Sequence, residues 1–143
     1  MYTPLNIKTE NSILSSLIRI DELIDFALKN SIKSLTITDN KMYGAYYFYK
    51  KCKSNGIKPI IGLDVLIHDV HIILYCKNYN GYKNLLKLVS LGSITIEDIN
   101  TFSGDLICIV PYKSFSLYDR LSKIFSDIFI RNVRSRALIL LSD

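Results

Sequence analysis

Two carboxylates close β-rich segments of this chain, Asp39 at the end of "SLTITD" (34–39) and Asp64 in "KPIIGLDVLI" (58–67). In layered α/β proteins the chemistry gathers beyond the carboxyl ends of the strands, where loops and helix N-termini converge. Asn6 and Lys8 follow the first extended piece, Asn40 follows Asp39, and all five polar positions are placed to share one pocket. Acids in such a position suit metal ligation or proton transfer, but Asp39 and Asn40 are equally suited to capping the helix that begins near Gly44. His68 and His71 form an HxxH. Along one strand, residues three apart point to opposite faces, so both rings could reach one ion only if the chain turned between them. Neither GxGxxG nor GxxxxGK[ST] nor GxSxG occurs, which removes support for a dinucleotide fold, a P-loop or a hydrolase elbow.

These residues need strands and helices to hold them. "PLNIK" (4–8) reads as a short strand after a proline. "RIDELIDFALKNSI" (19–32) spaces Ile20, Leu23, Ile24, Ala27 and Leu28 helically, with Asp21 as N-cap and Asn30 near the end. "SLTITD" is a β-branched strand, and "GAYYFYKKCKSNG" (44–56) a helix stopped by Asn-Gly. "KPIIGLDVLI" and "HIILYCK" (71–77) read as strands, "GYKNLLKLVSLG" (81–92) as a helix, and "DLICIVPY" (105–112) as a strand. "SLYDRLSKIFSDIFI" (116–130) reads as a helix and "ALILLSD" (137–143) as a last strand. The alternation predicts an α/β fold with a mostly parallel sheet, open or curled into part of a barrel.

The chain has 143 residues, about one domain's worth, and its apolar content is ample for a core. A formal charge of +5 permits contact with phosphates without requiring it. The arginines of "RNVRSR" (131–136) suit phosphates or a solvated surface. Cys52, Cys76 and Cys108 are far apart and sit in apolar surroundings, as reduced core thiols of a cytoplasmic protein would. No apolar run approaches a membrane span, and "MYTPLNIKTENS" lacks the pattern of an export signal. Tyr43, Tyr46, Tyr47, Phe48 and Tyr49 invite a base-stacking reading, but Tyr43, Tyr46 and Tyr47 share one helical face, and packing against the sheet is the favoured expectation.

Residues 2–65, through "TITDNKMYGAYYFYKKCKSNGIKPIIGLDV", together with "HIILYCKNYNGYKNLLKLVSLGS" (71–93), resemble the PHP (polymerase and histidinol phosphatase) domain. The likeness is to the domain at the N-terminus of the bacterial DNA polymerase III alpha subunit, in the form found in low-GC Gram-positive and mollicute-like bacteria. It is clear over residues 2–93 and weak beyond. It implies an irregular PHP-type β/α barrel, or the first part of one, across residues 1–143, with the polymerase palm, fingers and thumb absent.

Active members of that family hold metal ions and hydrolyse phosphate esters. Where the family has His-x-His, this chain has Asn6-Ile7-Lys8; for Thr-Asp-His it has Thr38-Asp39-Asn40, and for Gly-x-Glu it has Gly62-Leu63-Asp64. His71 stands where a histidine usually opens the next strand. An amide is a poor substitute for imidazole and a protonated lysine repels a cation, so the resemblance implies a degenerate metal site at Asn6, Lys8, Asp39, Asn40, Asp64 and His71. No metal, other cofactor or catalytic residue is expected in this chain; the Mg2+ of the parent family belongs to the palm, whose Asp-x-Asp pair does not occur here. Lys8 suits two places equally, between Asp39 and Asp64 as an internal countercharge or pointing into solvent. The implied role is structural support of a replicative polymerase. The implied partners are the remainder of the alpha chain, the replisome, and DNA through the full-length enzyme, in the cytoplasm and with no membrane contact. A residual phosphoesterase, a 3'-5' proofreading nuclease and a free-standing replication accessory protein are the alternatives.

Overall fold

The computed structural model describes residues 3–12 and 14–131 and the backbone of 138–139. The chain forms two compact units, Met1–Leu63 and Asp64–Asp143.

In the first unit, helix α1 (Ile20–Lys29) buries Ile20, Leu23, Ile24 and Ala27 of the stripe its spacing predicts, while Leu28, at the stripe's edge, is exposed. Arg19, not Asp21, occupies the N-cap and makes no side-chain capping bond; Asp21 lies in the first turn, where its charge favours the helix dipole. Strand β1 (Ser34–Asp39) is buried from Leu35 to Asp39 without alternation, as a strand covered on both faces should be. Helix α2 (Ala45–Ser54) is the crossover to strand β2 (Lys58–Ile67), which runs parallel to β1 from Ser34↔Lys58 to Asp39↔Leu63. Asn55 and Gly56 end α2, with Gly56 at φ +68, a conformation that glycine adopts without a Cβ penalty. Residues 4–8 do not form the expected strand. The backbone N–H of Thr38 donates to the Ile7 carbonyl at 2.7 Å, but the chain then turns to bring Thr9 and Ser12 to the end of β1.

The second unit begins within β2. His68 and Asp69, at φ 47 and 62, turn the chain into strand β3 (Val70–Cys76). Helices α3 (Tyr79–Ser90) and α4 (Ile96–Thr101) lead to strand β4 (Leu106–Pro111), antiparallel to β3. Helix α5 (Phe115–Ser122) leads to strand β5 (Ile128–Arg131), which runs parallel to β4, and strand β6 (Leu138–Ile139) is antiparallel to β5. The pairing is therefore mixed rather than mostly parallel. A turn as short as His68–Asp69 can only return the chain antiparallel, whereas β1–β2 and β4–β5 each have a helix in their connection.

The helix expected to run to Ile130 stops at Ser122, because Cys108 N–H donates to Asp127 O at 2.9 Å and draws 128–131 onto β4. Helix α4 was not anticipated from periodicity. Most of the strand expected at 137–143, and the arginines at 134 and 136, lie outside the described residues, apart from the backbone of β6. The core of this unit includes Ile72, Leu74, Leu85, Leu88, Ile99 and Leu121, each contributing roughly 1.5–3 kcal/mol of transfer free energy.

Candidate functional site

Asp39 is 1% exposed, and its carboxylate accepts hydrogen bonds from three neutral donors. The Thr9 backbone N–H donates to Oδ1 and the Thr9 hydroxyl to Oδ2, both at 2.6 Å; the Ser12 hydroxyl donates to Oδ1 at 2.7 Å. An ionised carboxylate offers about four lone-pair sites, and three are taken. The loop is itself braced, since Asn11 donates through Nδ2 to the Thr9 oxygen at 3.1 Å and Asn40 N–H donates to the Ser12 oxygen at 3.3 Å. Gly44 makes room for this loop, because a Cβ there would lie 2.4 Å from Asn11 Nδ2. Thr9 and Ser12 were not singled out from the sequence. The signal was present in "KTENS", a polar run after an extended piece, in which Thr and Ser hydroxyls commonly bond to nearby groups.

Asn6, on the surface, accepts a 2.6 Å hydrogen bond from the Thr38 hydroxyl through Oδ1, so its amide oxygen secures the neighbour of Asp39. Asn40 is exposed and does not cap α2, whose N-cap is Gly44 without a side-chain bond. Lys8 is half-buried; Thr9 and Ser12 reach the Asp39 carboxylate from one loop with neutral donors.

In the second unit, His71 Nδ1 lies 2.7 Å from Asp64 Oδ1. The Asp64 side chain is 8% exposed and that of His71 66%, so a shielded carboxylate orients a ring that faces solvent. The chain does turn between His68 and His71, but His71 is directed to Asp64 and His68 stands in the turn itself. Among the described residues, no group of three or more His, Cys, Asp or Glu could hold a metal ion.

The tyrosines do not pack as expected. Tyr43, Tyr46, Tyr47 and Tyr49 are all exposed, and α2 turns Ala45, Phe48 and Cys52 inward instead. The Tyr47 hydroxyl donates to Asp21 at 2.8 Å; with Lys51 at 3.3 Å, this holds the Asp21 carboxyl below its usual value and raises the Lys51 ammonium. Cys52 and Cys108 are buried free thiols, and burial pushes Cys52 up to about 12 and Cys108 further in the same direction.

Comparison with known proteins matches residues 4–131 to the PHP domain, well past the stretch where the likeness is plain by eye. DNA polymerase III subunit alpha of Ureaplasma parvum is 42% identical over 125 residues, covering 82% of this chain and 13% of that protein. The subunits of Halalkalibacterium halodurans and Bacillus subtilis are each 33% identical, over 122 and 124 residues. They cover 76% and 77% of this chain and 11% of each relative. The chain thus spans about an eighth of the length of these relatives and matches their N-terminal region. A crystal structure of a Bifidobacterium adolescentis protein described as a metal-dependent phosphoesterase superposes with a TM-score of 0.63 at 10% identity, over 88% of this chain and 76% of that one. That likeness is one of fold, a mixed α/β arrangement consistent with a partial β/α barrel. A family match over nine-tenths of its length, borne on a mixed α/β fold with Asp39 closing β1, identifies this chain as a member of the PHP domain family.

Proposed function

We propose that this chain is the N-terminal PHP domain of a replicative DNA polymerase III alpha subunit, that its metal site is degenerate, and that it serves to support the polymerase core. The observation that carries the reading is the state of Asp39: a position of the family's metal motif is committed to Thr9 and Ser12, so its carboxylate works as a structural pin. Asn6 and Asn40 offer neutral amides and Lys8 an ammonium at the remaining motif positions, a donor set that does not fit a divalent cluster. No step of hydrolysis is therefore assigned to this site.

The partners in this reading are the remainder of the alpha chain, the replisome, and DNA through the full-length enzyme, in the cytoplasm. Among the described residues no helix is long and apolar enough to cross a membrane. Elemental analysis of the purified chain should find well under one zinc, manganese or iron per molecule, and adding these ions should leave its thermal midpoint unchanged. One or more tightly held ions per chain would reject the degenerate site. The Asp64–His71 pair favours a second reading, a residual phosphoesterase, and hydrolysis of p-nitrophenyl phosphate with added Mn2+ that is lost in His71→Ala would establish it.

A further inference from the structure

We propose that the outward face of α2 is a binding surface for single-stranded nucleic acid, formed by Tyr46, Tyr49, Lys50 and Lys53. The helix buries Ala45, Phe48 and Cys52, and with 3.6 residues per turn this sets the other side toward solvent. That side alternates rings and ammonium groups. Lys50 Nζ lies 5.5 Å from the Tyr46 ring centre and Lys53 Nζ 5.9 Å from that of Tyr49, each lysine one turn after its ring. Tyr43, 77% exposed, precedes the helix, and Tyr46 is 65% exposed.

Tyr46 and Tyr49 thus present exposed rings on the same helical face as two ammonium groups. The charge of the face indicates what they meet. Helix α2 contains no acid, and Asp21, the carboxylate that reaches it from α1, is engaged by Tyr47 and Lys51 at one flank. The face left is cationic and aromatic, complementary to a ligand carrying both anionic groups and flat faces. An acidic peptide would use the lysines and leave the rings without a role. A duplex offers phosphates but hides its base faces, whereas a single strand offers both. Tyr46 and Tyr49 are about 4.5 Å apart along the helix axis, close enough to serve neighbouring bases. Lysines that swing from ring to phosphate would expose the ring faces as the strand arrives.

The proposal stands on α2 alone and holds whether or not the chain binds metal, so its failure is distinguishable from failure of the degenerate-site reading. The test is fluorescence anisotropy of labelled dT15 with the 143-residue chain at several salt concentrations. Binding should weaken as salt rises. Tyr46→Leu with Tyr49→Leu should reduce affinity at least tenfold at fixed salt, with the thermal midpoint unchanged, since each stacked ring is worth roughly fivefold or more. Lys50→Gln with Lys53→Gln should lower the slope of log K against log salt by about 1.4. The charge-matched control Lys87→Gln with Lys123→Gln should change affinity less than twofold. Absence of dT15 binding, wild-type affinity in the tyrosine variant, or equal loss in the control would overturn the proposal. So would equal affinity for a 15-base-pair duplex or a poly-glutamate peptide.

Discussion

Asp39 shows what a buried carboxylate does when its partners are neutral. Three short hydrogen bonds from Thr9 and Ser12 replace the water it loses on burial, and in doing so tie the 9–12 loop to the end of β1. Asp39→Ala should therefore destabilise the protein by about 3 kcal/mol or more in urea unfolding, because three donors are stranded at once. Thr9→Val keeps the backbone donor and the shape, and should cost roughly 1.5–3 kcal/mol. His71→Ala removes a partner of Asp64 whose ring is mostly in water, and should cost less than about 1 kcal/mol. The acid at the strand end was legible in the sequence; its partners were not, since nothing in the spacing of Thr9 and Ser12 says that their loop folds back on residue 39.

Elements depend on contacts of the same kind. At Gly81, in the first turn of α3, a Cβ would lie 2.3 Å from the Asp105 carbonyl oxygen and 3.0 Å from Cys76 Cβ. Gly81→Ala should cost about 1–3 kcal/mol despite alanine's higher helix propensity, because the obstacle is backbone. Helix α4 is only six residues long and is begun by a capping box, in which Asp98 N–H donates to the Thr95 oxygen and Thr95 donates back to Asp98. Thr95→Ala should cost about 1 kcal/mol. The backbone N–H of Thr95 first, then its hydroxyl, holds the Asp98 carboxyl below 3.8. The cap's stabilisation is thus present above that value and is lost as pH falls through the lower folded one, a trend readable in acid unfolding of wild type against Asp98→Asn. The box "TIED" was readable in the sequence. Six residues are too few for helical periodicity to declare itself.

Across the whole molecule, the thiols report on the integrity of the core. Cys52 and Cys108 are fully buried, one in each compact unit, and burial disfavours the thiolate. Neither should react with a maleimide in native protein at pH 7.5, and both should react once urea unfolds the chain. Their raised folded values make the native state the better proton binder. The stability they contribute is present below about pH 9, the unfolded value, and is lost as pH rises toward about 12, where Cys52 ionises in the folded state. Cys52→Ala should flatten part of that alkaline loss in urea titrations repeated between pH 8 and 11.

The sequence by itself determined the family, most element positions and the residues at the motif positions, because strand runs, helical stripes and motif spacing are local patterns. Helix α1, β1, α2 and β2 fall where their periods place them. Only the tertiary structure decided that residues 4–8 remain outside the sheet, that 128–131 join it as β5, and that β3 and β4 pair antiparallel. Each of these depends on which backbone groups find partners far along the chain, and short segments have no strong preference of their own to resist that recruitment. The tyrosines of α2 give the same lesson in reverse. The spacing of Tyr43, Tyr46 and Tyr47 predicts one packed face, but Tyr43 precedes the helix and the side on which a helix packs is set by the best-fitting apolar stripe, here Ala45, Phe48 and Cys52, which turned the rings to solvent.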